Sequence, residues 1–338
     1  MQPLSYPLPP TVSPSPDVSV LQPPIPQWYT LEVTSQCNLK CPYCPTGRGD
    51  IPMAARGYLD LDTLPVMLDK LNPHAEVIQL VNWGEPFMHK QLVPILRKIA
   101  DYGIATQFST NLTVRLFDET ELADIITSGL YSLFCSIDGI TQEANTAYRR
   151  NGSVTRALQN LRNLVRMKAR LGARTPHLIW GFYVNAHNQH QVDDAARMAA
   201  DIGVTIWFKD LSCPPEFQTS LLRTRPALFA TPPDIARLWK GRFNRGLGAF
   251  ALDSRLPKVC NVCRMPFEIM IINFNGDVYP CTAVTGREFV VGNLLTDTLE
   301  DIWHKRMLEN RLQLLSPDLA RPQSQCLGCK HFPKPVAA

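Results

Sequence analysis

The chain lacks the features that would assign it to a membrane, to the secretory pathway or to nucleic acid. Its apolar runs are all shorter than the roughly 18–20 residues needed to span a bilayer. No positively charged segment followed by an apolar core opens the sequence, so no secretory signal is visible. The net charge of +4 is small and no basic block is present, which argues against a nucleic-acid partner. We therefore expect neither membrane nor nucleic acid as a partner.

The remaining composition is that of an ordinary globular protein. The 338 residues are 45% hydrophobic and 19% charged, and they suffice for one large domain with a smaller one. Ten cysteines in a chain without an export signal favour a reducing compartment and metal ligation. The composition therefore predicts a cytoplasmic protein.

Three cysteines lie within eight residues, Cys37, Cys41 and Cys44, directly after a strand-like run that begins at Trp28. A zinc site usually has four ligands in two pairs, and a disulfide framework belongs in a small secreted domain. Three thiolates can hold three irons of a 4Fe–4S cube and leave the fourth iron open, whereas electron carriers use four cysteines. The triplet therefore indicates a reaction site, and the spacing alone leaves a zinc site open.

Strand-like and helix-like segments alternate from Trp28 to about Leu211. Residues 1–26 precede them with nine of the 29 prolines, which predicts an extended or disordered lead-in. Glycine follows each of four amphipathic helical segments, as expected past a helix end. The pattern predicts a parallel sheet covered by helices, either doubly wound or closed toward a barrel. The strand candidates are Trp28–Thr34, Glu76–Val81, Thr106–Thr110, Tyr131–Ile137, Leu178–Val184 and Thr205–Phe208. Residues 212–258 are interpreted as an irregular linker or substrate wall, and residues 259–338 as a second cysteine-rich unit.

The triplet, with the aromatic Tyr43 before its last cysteine, resembles the signature of the radical S-adenosylmethionine (SAM) superfamily. The resemblance covers nearly everything from Trp28 to Phe332, and it implies a partial (β/α)6 barrel of the TIM type with chemistry at the carboxyl ends of the strands. In that family SAM binds the open iron, and its reductive cleavage gives a 5′-deoxyadenosyl radical that abstracts hydrogen from the substrate. A flavodoxin- or ferredoxin-type electron donor is implied as a partner.

The segment Trp83-Gly84-Glu85-Pro86, after the second strand, resembles the family motif that binds the SAM amino group through its backbone and its acidic side chain. It departs from that motif in having Trp83 where the first glycine usually stands. The resemblance implies further SAM contacts: Tyr43 beside the adenine, Ser136 at the ribose, Asn111 as a weaker contact, and one of Arg149 and Arg150, preferably Arg150, at the SAM carboxylate or the substrate.

A second cysteine group begins near residue 260. Asn275-Gly276 predicts a hairpin turn between Phe267–Phe274 and Asp277–Tyr279, and a helix follows whose buried face is Leu299, Ile302, Trp303 and Met307. This arrangement resembles the shortened SPASM domain called Twitch, which implies one auxiliary 4Fe–4S cluster because no cysteine follows Cys329. The implied ligands are Cys263, Cys281, Cys326 and Cys329. Cys260 is an alternative to Cys263, and a zinc ribbon remains open for this half of the chain.

Two cysteines and two charged residues remain as candidates. Cys135 is next to Ser136 on a strand, so its side chain lies on the opposite face and is expected in the core. Cys213 follows the sixth strand, where a thiol either returns hydrogen to a substrate radical, as in radical SAM epimerases, or has a structural role. Lys209 and Asp210, at the end of the sixth strand, are candidates with Arg150 for deprotonating or binding the substrate.

The resemblance predicts an oxidoreductase similar to the aminocyclitol dehydrogenases of antibiotic pathways. Its substrate would be a small polar molecule such as a sugar, cyclitol or nucleoside derivative, and the auxiliary cluster would accept an electron. Epimerisation and modification of a ribosomal peptide are the alternatives. The peptide alternative is disfavoured here because residues 1–26 are too short for a leader-binding winged-helix domain. A non-catalytic zinc scaffold is the alternative from another class.

Overall fold

The structure is a computed structural model that describes residues 21–211, 215–242 and 265–315. The strands are β1 (Trp28–Leu31), β2 (Val77–Gln79), β3 (Ala105–Thr110), β4 (Leu130–Ser136), β5 (His177–Val184), β6 (Thr205–Asp210), β7 (Met270–Ile272), β8 (Asp277–Tyr279) and β9 (Gly292–Asn293). In the described part of the chain, no helix is both long and apolar enough to cross a membrane.

The helices alternate with the strands through the first two thirds of the chain. They are α1 (Pro45–Arg48), α2 (Leu64–Leu71), α3 (Leu92–Asp101), α4 (Glu119–Thr127), α5 (Gln142–Tyr148), α6 (Val154–Arg170), α7 (Val192–Ile202), α8 (Leu221–Thr224), α9 (Pro233–Arg242), α10 (Met265–Glu268) and α11 (Leu308–Leu315). A π-helix covers Asp301–Arg306, and 3-10 turns cover Met53–Ala55, Pro86–Met88, Gln189–Gln191, Pro215–Phe217, Pro226–Phe229 and Arg287–Phe289.

One sheet contains all of these strands, in the order β6-β5-β4-β3-β2-β1-β7-β8-β9. Strands β1 to β6 are parallel, as the repeated strand-helix pattern predicts, because each helix returns the chain to the same edge. Helix α7 ends at Gly203, whose positive φ of 81° is a left-handed cap that glycine adopts without strain. All six predicted strands are present, with bounds shifted by one to three residues.

The six parallel strands curl into a partial barrel. Alternate residues such as Tyr29, Phe108 and Trp180 point outward into the main core, where the helices cover them. Inward residues of all six strands meet in a second cluster, formed by Trp28, Val77, Ala105, Tyr131, Phe134, Ile179 and Trp207. Because the first and sixth strands contribute to one cluster, the sheet is strongly curved, and the predicted barrel is confirmed.

The segment after β6 is more regular than predicted. Its described part, residues 215–242, is a series of short helices ending in α9, so the prediction of an irregular linker was wrong there. Ile235 of α9 is fully buried against the inward cluster, and Asp234 accepts a hydrogen bond from Thr205 at the start of β6. Helix α9 therefore closes the barrel at the amino ends of its strands.

The predicted hairpin is confirmed, although its first strand is shorter than predicted. Helix α10 occupies Met265–Glu268, and β7 begins only at Met270. Strand β7 pairs in parallel with β1 and antiparallel with β8, and Gly276 makes the turn at a φ of 83°. The hairpin therefore extends the barrel sheet, because its strand β7 pairs with β1, the first strand of the barrel.

The predicted buried face of the C-terminal helix is confirmed, and a widened π-helical turn forms part of it. Trp303 donates hydrogen bonds to the carbonyl oxygens of Pro23 and Pro24, and buried Arg311 donates to the carbonyl oxygen of Leu21. The described end of the proline-rich lead-in, residues 21–26, is thus packed against this helix rather than free.

Candidate active site at the carboxyl end of the barrel

The three clustered cysteines follow β1 and lie close together as free thiols. The pKa of Cys37 is raised to about 12, by burial first and then by the charges of Glu85 and the neighbouring thiols, and burial with the neighbouring Cys44 raises that of Cys41 to about 11. The backbone N–H of Leu39 donates to Cys37 Sγ at 3.4 Å, a bond that favours a thiolate. Within the described ranges, no three potential ligands converge on one metal-binding point. The three thiols nevertheless lie near enough to raise one another's pKa, so the loop supplies three neighbouring thiols that do not yet converge.

The cysteine loop is fastened to the end of β3 by side-chain amides. Asn38, between the first two cysteines, accepts a hydrogen bond from Asn111 Nδ2 at 3.0 Å and donates one to Thr113 Oγ1 at 3.0 Å. Asn111 is buried, and its Oδ1 accepts from the backbone N–H of Thr113 at 2.8 Å. Asn111, predicted as a cofactor contact, therefore also positions the loop. The sequence analysis missed Asn38, although its place between two ligands was a signal.

Glu85 is buried at the start of the loop that follows β2. Its carboxylate accepts hydrogen bonds from Thr110 Oγ1 at 2.7 Å, from the N–H of Asn111 at 2.7 Å and from the N–H of Phe87 at 3.2 Å. Burial raises its pKa, and these three donors oppose that shift. The acidic side chain therefore fastens the β2 loop to β3.

Gly84 lies where the β2 loop touches the cysteine loop. A Cβ at this position would stand 1.7 Å from the carbonyl oxygen of Thr34, so only glycine fits. The N–H of Glu85 donates to the carbonyl oxygen of Gln36 at 2.7 Å. The predicted SAM-binding segment and the cysteine loop are therefore in direct backbone contact.

Of the two predicted arginines, Arg149 faces the site and Arg150 is exposed. Arg149 Nε lies 2.6 Å from the fully buried carboxylate of Asp138, and its charge lowers the pKa of the Cys41 thiol. Burial alone would lower the pKa of Arg149, but the charge of Asp138 raises it overall. Arg150 joins the loop through its backbone, where its carbonyl oxygen accepts from the N–H of Lys40 at 3.0 Å. The geometry therefore favours Arg149 over the predicted Arg150 as the cation at the cluster.

Aromatic rings surround Tyr43 at the mouth of the barrel. The Tyr43 ring stacks on Tyr148 with centroids 6.3 Å apart and meets Phe217 edge-on at 5.2 Å. Its hydroxyl donates to Glu216 at 2.7 Å. Residues 215–217 thus stand beside the mouth, as expected of a substrate wall, and Tyr43 presents a flat apolar surface there.

The interior of the barrel contains open space and one lysine. Gly181 points inward between Ser136 on β4 and Trp207 on β6, and a Cβ added to it would meet nothing within 4 Å. Lys209 Nζ lies 4.0 Å from the centre of the Trp207 ring and 4.9 Å from that of Phe134. Burial lowers its pKa to about 8.

The other predicted residues are placed less directly at the site. Asp210 follows Lys209 on β6, so its side chain points to the opposite face of the strand. Cys135 is fully buried in the outer core, as its position beside Ser136 implies. Cys281 follows β8 on the hairpin. The remaining predicted cysteines, Cys213, Cys260, Cys263, Cys326 and Cys329, lie outside the described residues.

The residues at the carboxyl ends of the strands fit a cluster with three protein ligands and SAM beside it. Three neighbouring thiols match the donor set of an open-cornered 4Fe–4S cube. The carbonyl oxygens of Asn82, Trp83 and Gly84 accept no hydrogen bond from any described residue, which leaves acceptors for an ammonium group. Arg149 supplies a cation beside the same loop, as the carboxylate of SAM requires.

A curved parallel sheet with three thiols at the carboxyl end of its first strand defines a cluster-binding barrel enzyme. The model of the radical SAM superfamily matches residues 31–205, and the model of the SPASM iron–sulfur cluster-binding domain matches residues 263–330. The chain belongs to the radical SAM superfamily. Its cofactors are accordingly SAM, a SAM-binding 4Fe–4S cluster and an auxiliary cluster, as the sequence predicted.

Relatives match along most of the chain. Mycofactocin maturase MftC of Mycobacterium ulcerans (strain Agy99) is 26% identical over 325 residues, covering 90% of this chain and 80% of that protein. PqqA peptide cyclase of Bradyrhizobium diazoefficiens is 28% identical over 282 residues, covering 78% and 70%. The structure of Streptococcus suis SuiB bound to precursor peptide SuiA has a TM-score of 0.62 at 15% identity, covering 93% and 72%. The two curated relatives, a maturase and a peptide cyclase, fit the peptide-modifying alternative better than the dehydrogenase that was the main expectation, and the SuiB structure shows the shared fold.

Proposed function

We propose that this chain modifies a peptide by radical chemistry. The observation that carries this proposal is the similarity to a peptide cyclase over more than three quarters of the chain. The fold shared with SuiB, which has been solved with a precursor peptide, supports it. The sequence argument against a peptide rested on the shortness of residues 1–26, and that argument does not outweigh these likenesses.

The proposed division of labour follows the geometry of the site. When bound, the reduced cluster and SAM supply a 5′-deoxyadenosyl radical that removes a hydrogen atom from the substrate. Cys37, Cys41 and Cys44 would hold that cluster, and Tyr43, Gly84, Glu85, Asn111 and Ser136, with Arg149, would surround SAM. Cys263, Cys281, Cys326 and Cys329 would hold the auxiliary cluster, and the start of the SPASM match at residue 263 favours Cys263 over Cys260.

Lys209 is proposed to act on the substrate from inside the barrel. Its ammonium lies over three aromatic faces, which favour the charged form, and beside the open space at Gly181. Among the described residues no carboxylate lies within ion-pair distance of it. Asp138, whose charge raises the pKa of Lys209, is already bonded to Arg149 and to the N–H of Tyr183. A cation without a partner in a partly desolvated site calls for an anionic or carbonyl group on the substrate.

The reaction type is proposed to be oxidation, with epimerisation as the second candidate. Oxidation would remove one hydrogen atom to 5′-deoxyadenosine, and then a proton to solvent and an electron to the auxiliary cluster. Epimerisation requires a hydrogen donor, for which Cys213 is the candidate. The free thiols at the site accord with a reducing, cytoplasmic location, which is part of this proposal.

The test uses anaerobically reconstituted protein, dithionite and SAM. The probes are synthetic peptides for any short reading frames found beside the gene of this chain, together with a random-sequence peptide library, and a panel of cyclitols and amino sugars is run in parallel. We expect 5′-deoxyadenosine together with a mass change in the peptide. A peptide lighter by two hydrogens supports oxidation, and solvent deuterium in the peptide supports epimerisation. Turnover of a cyclitol with an unchanged peptide would overturn the proposal.

A further inference from the structure

Glu32 is a buried acidic residue that the sequence analysis did not assign. It follows β1 by one residue and continues the inward face of Trp28 and Thr30, so it lies inside the barrel just below the cysteine loop. Only 1% of Glu32 is exposed. A carboxylate inside an apolar strand is costly unless donors surround it, so its contacts indicate what it does.

The donors to Glu32 come from the loop after β2. Its Oε1 accepts the N–H of Trp83 at 2.7 Å, and the N–H of Gly84 also faces this carboxylate and lowers its pKa. The next N–H along the chain, that of Glu85, donates to the carbonyl oxygen of Gln36. Three successive N–H groups of the β2 loop are therefore held on the β1 side.

This anchoring fixes where the carbonyl groups of the loop point. In a trans peptide unit the C=O is directed opposite to the N–H. Because the N–H groups of Trp83, Gly84 and Glu85 face β1, the carbonyl oxygens of Asn82, Trp83 and Gly84 face away from it. These are the three carbonyl oxygens that accept no hydrogen bond from described residues. An ammonium has three N–H donors, so three carbonyl oxygens turned to one side suit it.

We propose that Glu32 is a positioning residue that turns these carbonyl groups toward the ammonium group of SAM. The family motif includes the loop after β2 but not Glu32, which anchors that loop. The acidic residue of the motif, Glu85, accepts hydrogen bonds from Thr110 and Asn111 at the end of β3 instead. Burial raises the pKa of Glu32 to about 7, and the two backbone donors oppose that shift, which shows that they stabilise the carboxylate form. The proposal depends on the family of the chain and not on the peptide substrate.

The test compares two ligands and three variants. SAM and 5′-methylthioadenosine are titrated separately into anaerobically reconstituted protein, and binding is followed through the electron paramagnetic resonance signal of the reduced cluster. 5′-Methylthioadenosine keeps the adenosine and the sulfur but has no ammonium. The variants are Glu32→Ala, Glu32→Gln, which retains one carbonyl acceptor, and Thr30→Val, a matched change at a buried site on the same face whose hydroxyl has no partner among the described residues.

We expect Glu32→Ala to weaken SAM binding by about tenfold to a hundredfold, the range for losing a charge-assisted hydrogen bond, and Glu32→Gln to be intermediate. In both Glu32 variants, the affinity for 5′-methylthioadenosine and the iron content should stay at the wild-type level. In Thr30→Val, the affinities for both ligands should stay at that level. An equal loss for both ligands in Glu32→Ala, or unchanged SAM affinity with intact clusters, would overturn the proposal. If Glu32→Ala loses iron, the Glu32→Gln variant decides the question. A Glu32→Gln protein that has full clusters and binds SAM as tightly as wild type would overturn the proposal.

Discussion

At the scale of single residues, Lys209 and Arg149 are two buried cations with different surroundings. Arg149 has a carboxylate partner at 2.6 Å, whereas Lys209 is enclosed by aromatic rings. An arginine remains charged under all ordinary conditions, but a lysine with a pKa of about 8 loses its charge within an accessible range. We therefore expect a pH dependence for Lys209 and a loss of stability and cofactor cleavage on replacing Arg149.

If the charged form of Lys209 binds the substrate, the KM for the substrate rises as the pH passes above about 8. Lys209 is protonated and charged below that pH and loses its charge above it. If Lys209 acted instead as a general base, the neutral amine would be the active form and KM would change with pH in the opposite direction. Lys209→Arg keeps the charge and should flatten the rise. Lys209→Met should raise KM below about pH 8 and remove the pH dependence, because the wild-type lysine has itself lost its charge at higher pH. Steady-state kinetics with SAM saturating checks this. A KM that falls with rising pH would show that the neutral amine is the active form.

Replacing Arg149 by methionine should affect the site far more than the same change at Arg150. Arg149→Met leaves the buried Asp138 without its partner, which costs roughly 3–5 kcal/mol of stability, and removes the cation beside Cys41. We expect at least tenfold slower SAM cleavage and a lower unfolding temperature. Arg150→Met is the matched control, with both quantities near wild type. Equal losses in the two variants would contradict the placement of these side chains.

Sequence reasoning located the candidate residues better than their individual roles. The cysteine spacing and the strand-end position identified the cluster loop, because ligand spacing is a local property. Glu32, Asn38 and Asp138 were missed because their importance comes from contacts with residues far along the chain. The preference for Arg150 over Arg149 rested on sequence alone, and the structure favours Arg149 instead, since adjacent residues differ in exposure only once α5 and its following turn are in place.

At the scale of elements, the site consists of the loops after β1, β2 and β3, held together by backbone and side-chain hydrogen bonds. A Cβ on Gly84 would strike the Thr34 carbonyl oxygen, whereas one on Gly181 would meet nothing within 4 Å, so the two glycines form a matched pair for comparison. Gly84→Ala should lower the free energy of unfolding by about 1–3 kcal/mol or more, because a Cβ cannot stand 1.7 Å from the Thr34 carbonyl oxygen. It should also abolish SAM binding.

Gly181→Ala should change stability by less than about 0.5 kcal/mol, because its methyl group would enter open space. Denaturant unfolding of both variants, together with SAM titration, measures the difference. If Gly84→Ala is tolerated as well as Gly181→Ala, the two loops are not in the contact described here.

The elements themselves were largely predictable because their hydrophobic periodicity is local. All six barrel strands and the hairpin turn were identified from pattern and punctuation. Helix α9 was not, because a proline-rich, weakly periodic segment becomes helical here through burial of Ile235 against strands that lie far earlier in the sequence. The packing of residues 21–26 against Trp303 was missed for the same reason.

At the scale of the whole molecule, the cysteine triplet and Cys281 each follow a strand of one continuous sheet, in which β7 pairs with β1. Wild-type protein should contain about eight irons and eight sulfides per chain. Cys41→Ala and Cys281→Ala should each contain about four of both. SAM cleavage should be lost in Cys41→Ala. In Cys281→Ala, SAM should still be cleaved, but without formation of the peptide product. Tightly bound zinc without sulfide in the wild type would instead support the scaffold alternative.

Transfer of deuterium from substrate to cofactor tests the central claim most directly. The synthetic peptide is prepared with fully deuterated residues, one position at a time, and 5′-deoxyadenosine is analysed by mass spectrometry after anaerobic reaction. We predict one deuterium in the 5′-deoxyadenosine when the label is at the reacting position. If no position of the peptide transfers deuterium while a labelled cyclitol does, the chain is a radical SAM enzyme of small molecules and the peptide assignment is wrong.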